Sequence, residues 1–154
     1  MSEKLKVLHK FEASPHELYL DFVDPKFIKR WFMEESHWVT EAHTDLKIGG
    51  KYDVTMWTDI GNSFTHDGVF EEVVEDKKLR FTWGSGLVED TDVTIRFKEI
   101  DSKTTEVSVE HEHFPTVELR DRHVTLWNKC LVQLDNLVRN PVEYPIYKDP
   151  DYYP

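Results

Sequence analysis

One cysteine in 154 residues rules out an internal disulfide and a thiolate-rich zinc cage, because Cys130 has no second thiol to work with. Glycine is scarce too, at six residues. Gly84-Ser85-Gly86 holds only two of the glycines that a phosphate loop or dinucleotide fingerprint needs, and no Gly-x-Ser-x-Gly elbow occurs. No apolar run approaches the length that spans a bilayer, and residues 1–10 lack the apolar core and small-residue cleavage site of a secretory signal. Basic residues are outnumbered, 19 Lys and Arg against 30 Asp and Glu, and the net charge of −11 repels phosphate backbones and anionic lipid surfaces. Neither nucleic acid nor membrane is an expected partner, and the lone thiol agrees with a reducing, cytoplasmic setting.

The chain is rich in rings, with nine Phe, six Tyr and five Trp, so large aromatic side chains must supply much of the core. Its order emerges from periodicity. Leu5, Val7, His9 and Phe11 alternate with lysines as a strand does. Ser14-Pro15-His16-Glu17 is a capping box with proline at the first helical position, and Asp24-Pro25 repeats the signal, so two short helices follow. From there to His113 the period is mostly two, with turns at hairpin intervals. Strands are expected near residues 38–44, through Tyr52, Val54, Met56 and Thr58, through Phe64, His66, Gly68 and Phe70, through Leu79, Phe81 and Trp83, through Val93, Ile95 and Phe97, and through Val107, Val109, His111 and His113. Gly68 reads as a bulge or a close backbone contact. Leu119, His123, Leu126, Trp127, Cys130, Leu131, Leu134 and Val138 then recur at three and four, predicting an amphipathic helix over residues 117–139 that Asn140-Pro141 ends.

The predicted class is α+β: a curved antiparallel sheet of about seven strands wrapped on a long C-terminal helix, with two short helices after strand one. Residues 1–139 form one domain in this reading, and 140–154 a tail rich in proline and tyrosine. That order resembles the helix-grip architecture of the START-like (SRPBCC) superfamily. Five segments narrow the match: Phe11-Glu12-Ala13-Ser14-Pro15, Asp24-Pro25 before Trp31-Phe32, Ile48-Gly49-Gly50-Lys51-Tyr52, Gly68-Val69-Phe70-Glu71-Glu72-Val73 and Leu79-Arg80-Phe81-Thr82-Trp83. In this order they resemble proteins related to the C-terminal domain of the activator of heat-shock protein 90 ATPase. One departure is Leu126 before Trp127, where the family often has glycine. The resemblance implies a binder of small apolar molecules or a chaperone partner. The full co-chaperone also carries a separate N-terminal domain for which this length has no room, so direct ATPase activation is not expected.

Fold alone does not assign chemistry, so the site must come from residues. A bent sheet gripped by one helix encloses space that aromatic walls and a few polar groups can turn into a pocket. The expected ligand-binding residues are Trp57, Phe70, Trp83, His111, His123 and Trp127, with rings supplying affinity and imidazoles orienting the polar end of an apolar or amphipathic ligand. Chaperone association is the alternative, and general acid/base chemistry at an inward histidine such as His111 is a second one. His111 and His113 on one strand face, with His123 on the helix, raise the question of zinc. No compact motif supplies a fourth ligand, so neither metal nor cofactor is expected. Cys130 on the apolar helix face reads as a small inert hydrophobe.

Overall fold

The computed structural model describes residues 3–140, which leaves all but the first residue of the expected tail outside the described residues. The chain runs β1 (Glu3–Phe11), α1 (Pro15–Val23), α2 (Pro25–Trp31), β2 (Val39–Thr44), β3 (Lys51–Trp57), β4 (Ser63–Val74), β5 (Lys78–Trp83), β6 (Thr91–Glu99), β7 (Thr105–Phe114) and α3 (Val117–Arg139). The strands form one antiparallel sheet in the order β1-β7-β6-β5-β4-β3-β2. Sequential hairpins build it, except that β1 closes onto β7, with Leu5 opposite His111 and Val7 opposite Val109.

Local chemistry sets the helix ends. Ser14 Oγ accepts from the Glu17 amide at 3.2 Å, and Pro15 opens α1. Asp24 both ends α1, its amide donating to the Leu20 carbonyl, and caps α2, its carboxylate accepting from the Lys26 amide at 2.9 Å. One residue doing both jobs makes the α1–α2 corner sharp, and the Trp31 indole N–H donates to the Asp21 carbonyl at 2.9 Å to hold it. Thr116 caps α3, which buries His123, Leu126, Trp127, Cys130, Leu131 and Leu134, the stripe its three-and-four spacing predicts.

The two halves of the sheet join at β4. This strand pairs with β3 through residues 63–69 and with β5 from Phe70 onward, and its register shifts between Phe70 and Glu72. Gly68 sits at the changeover. A Cβ there would lie 1.9 Å from the Thr82 carbonyl oxygen, so the two strands approach more closely than any side chain allows. The adjacent Val69 amide takes the Thr82 hydroxyl as acceptor at 2.9 Å.

One sequence expectation fails at the end of β7. His113 has a φ of +77°, and the β1–β7 register slips beside it, with Glu3 opposite Phe114 and Lys4 opposite Glu112. The bulge turns His113 out to Asp92 at 3.7 Å and brings Phe114 into the core, so His111 and His113 do not share a face.

Candidate functional site

The space left between the sheet and the helices is small and divided. A cavity of about 50 Å³ is walled by Trp31 and Phe32 at the end of α2, Tyr52 and Val54 of β3, Phe70, Phe81 and Trp83 of β4 and β5, Ile95 of β6 and Trp127 of α3. Strand parity puts these side chains there: Tyr52, Val54 and Met56 are buried, and the residues between them face outward. The rings meet mostly edge to face, Tyr52 on Phe81 at 5.2 Å and Phe32 on Trp127 at 5.8 Å between centroids.

A second cavity of about 50 Å³ lies beyond a partition of rings, lined by Met56, Phe64, His66, His123 and Leu126, with Glu34, Leu87 and Arg122 around it. Its character is different. His66 is 6% exposed and stacks on Trp83 with centroids 4.4 Å apart, yet neither of its ring nitrogens has a hydrogen-bond partner, nor does the Trp83 indole nitrogen. Burial, aided by nearby His123, pushes the His66 pKa down to about 4, so the ring is neutral at neutral pH.

His111 has the opposite status. Thr91 has one hydroxyl proton, which goes to the Trp83 carbonyl at 2.7 Å, so Thr91 Oγ1 must accept from His111 Nε2–H at 2.8 Å. That leaves His111 Nδ1 as acceptor for the Trp127 indole N–H at 3.2 Å. The tautomer is thereby set, and a second proton on Nδ1 would face a donor. Burial first, then His123 and His66, holds the His111 pKa down to about 2. A ring with both nitrogens engaged and no exposure is a tie between α3 and the sheet rather than an acid or base for substrate. His123 Nδ1 donates to the Leu119 carbonyl at 2.7 Å, which leaves Nε2 as an acceptor; burial lowers its pKa while that hydrogen bond opposes the shift.

Of the six residues named from sequence, Phe70, Trp83 and Trp127 border the first cavity and His123 the second. His111 lies behind the wall formed by Trp83 and Trp127. Trp57 stands apart: it is 41% exposed on the outer face of β3, opposite Val39 of β2. Its odd position beside inward Met56 already carried that signal. Sequence reasoning left out Trp31, Phe32 and Tyr52, although Tyr52 shares the parity of Val54 and Met56. Cys130 is fully buried, which pushes its thiol pKa up and leaves it unreactive. Among the described residues, the only three His, Cys, Asp or Glu side chains whose ligand atoms lie within 4.8 Å of one another are His16, Glu75 and Asp76 on the surface, so the inward histidines do not converge on one point. No helix among the described residues is long and apolar enough to cross a membrane.

The geometry matches solved structures across most of the chain. A Chromobacterium violaceum protein is 22% identical, covering 88% of this chain and 96% of its own, with a TM-score of 0.76. An AHSA1-like protein from Aeromonas hydrophila is 20% identical, covering 91% and 94%, with a TM-score of 0.76. A Rhodobacter sphaeroides protein is 18% identical, covering 90% and 93%, with a TM-score of 0.77. At such identities the likeness establishes the fold. No curated protein matches the chain. The family model described as Activator of Hsp90 ATPase homolog 1-like protein matches residues 12–139, and together with the helix-grip fold this places the chain in that family of START-like proteins.

Proposed function

We propose that the protein binds a small apolar ligand in the aromatic cavity between the sheet, α2 and α3. The observation that carries this reading is the cavity itself, about 50 Å³ left open among rings from six strands and helices within the buried core. Apolar side chains that could have collapsed onto one another leave dispersion contacts unmade, and a ligand supplies them. An apolar cavity of roughly 150 Å³ accepts benzene, so a ligand of that size enters by displacing part of the wall. The seven-residue α2, which contributes Trp31 and is capped by Phe32, is the shortest helix in that wall and the one to move.

The test is a thermal-shift screen of small aromatic and aliphatic compounds, read in parallel by tryptophan fluorescence, since Trp31, Trp83 and Trp127 all border the cavity. A ligand at about 100 times its dissociation constant adds roughly 2.7 kcal/mol of stability. At least one compound class is expected to raise the melting temperature, and Val54→Phe, which fills the space from β3, is expected to abolish the response. If no compound stabilises the chain, or if Val54→Phe responds like wild type, the cavity is packing slack. The exposed Val39–Trp57 pair would then be the better place to look for function, as a surface for a chaperone or other protein partner.

A further inference from the structure

The second cavity poses a separate question. Buried polar atoms without partners are rare in folded proteins, and His66 contributes two of them in one ring, with the Trp83 indole nitrogen a third beside it. Trp83 and Phe32 both line the aromatic cavity and both touch His66: Trp83 stacks on it at 4.4 Å, and Phe32 lies 6.1 Å from His66 and 6.0 Å from Trp83, centroid to centroid. Phe32 belongs to the wall of the first cavity and stands at the C-terminal cap of α2, the element whose displacement admits a ligand. When α2 yields, the Phe32 side of the partition yields with it, while Trp83 stays on β5.

We propose that the two cavities are the two ends of one binding site, and that the His66 end receives a neutral hydroxyl group on an otherwise apolar ligand. This assignment rests on the apolar-ligand reading above and adds the chemistry of the ligand's polar end. A neutral imidazole offers one N–H and one bare nitrogen, so the group that suits it whichever way it is approached must both accept and donate. A hydroxyl does both. A carboxylate only accepts and an ammonium only donates. His123 adds a further acceptor, since its Nδ1 is committed to Leu119. The charges around the cavity also argue against an ion: Glu34 and Arg122 carry opposite charges that sum to zero, and the remaining lining side chains are apolar or neutral imidazoles. Moving an ion into such a place from water costs far more than moving a hydroxyl.

The experiment titrates the full chain at neutral pH with 1-octanol, 1-fluorooctane, octanoate and octylamine, following tryptophan fluorescence and the imidazole ¹⁵N resonances of His66. 1-Octanol is expected to bind more tightly than octanoate or octylamine. Its preference over 1-fluorooctane is expected to fall about tenfold in His66→Phe, the value of one hydrogen bond to a buried group. The His66 resonances should shift with 1-octanol and not with 1-fluorooctane, a readout in the wild-type chain that holds even if the variant folds poorly. Val54→Phe, which blocks the far end, should suppress that shift. Tightest binding by octanoate or octylamine, an unchanged octanol preference in a folded His66→Phe, or a silent His66 resonance would overturn the hydroxyl site while leaving the apolar-ligand reading intact. A His66 shift that survives Val54→Phe would overturn the joining of the two ends. Failure of all four probes to bind would overturn the hydroxyl site, and the apolar-ligand reading falls with it only if the wider thermal-shift screen is silent as well.

Discussion

Replacing His111 by leucine should cut the hydrogen-bonded tie between α3 and the sheet while keeping most of the volume. In the native protein the ring joins Thr91 Oγ1 at 2.8 Å and the Trp127 indole at 3.2 Å, and all three residues are at most 1% exposed. Leucine leaves the indole N–H, which can only donate, facing carbon where no water reaches. A buried donor without an acceptor costs about 1 to 3 kcal/mol, and the lost hydrogen bond to Thr91 about 1 kcal/mol more, so a loss of about 2 to 4 kcal/mol is expected. His111→Gln places an amide nitrogen near the Nε2 position and should recover the Thr91 bond alone. Trp127→Phe removes the unsatisfied donor, so in that background His111→Leu should cost about 1 to 2 kcal/mol less, and the difference is the coupling energy of the pair. Urea unfolding followed by far-ultraviolet circular dichroism gives these values without depending on tryptophan emission, provided the m-value is constant. If His111→Leu lies within about 0.5 kcal/mol of wild type, or if the coupling is near zero, the interpretation of His111 as a structural tie is wrong.

Acid should weaken the fold well before ordinary carboxylate titration dominates. Between about pH 6.5 and 4.5 the unfolded chain binds protons at His66 and His111 that the native state refuses, since their native pKa values are held down to about 4 and about 2. Asp21, pushed up to about 7 mainly by burial, works the other way because the native state already holds its proton. Stability should therefore fall with pH across this window with a net slope of roughly one proton, about 1.4 kcal/mol per pH unit. His66→Phe should make the slope shallower by about one proton and Asp21→Asn steeper by about one, and unchanged slopes in denaturation curves would contradict the burial argument. Where β4 meets β5, Gly68→Ala forces a methyl group to 1.9 Å from the Thr82 oxygen and should cost about 1 to 3 kcal/mol or more, whereas Gly86→Ala, with nothing within 4 Å of its Cβ, should be nearly neutral in a thermal melt.

Periodicity, capping chemistry and turn residues reach far in this chain because they act over a few residues. Ser14-Pro15, Asp24-Pro25, the alternation of β5 to β7 and the three-and-four stripe of α3 each determine a local conformation whose apolar face has only one place to go, and the antiparallel sheet under a long helix follows from them. Strand parity also placed Phe70 and Trp83 inward and, read strictly, Trp57 outward, and the helical stripe placed Trp127 inward. Tertiary packing decided what local rules leave open. The positive φ of His113 reverses a face that alternation would have kept, because β1 closes onto β7 with an irregular register. The division of the interior into two cavities depends on where Phe32 comes to rest, and that is set by α2 packing across the sheet rather than by the residues beside Phe32 in the chain. Likewise His66, His111 and His123 are alike in sequence as inward histidines. Their hydrogen-bond partners separate them: Thr91 and Trp127 from across the fold for His111, the Leu119 carbonyl one turn back on α3 for His123, and none for His66, whose burial among rings only the tertiary structure decides.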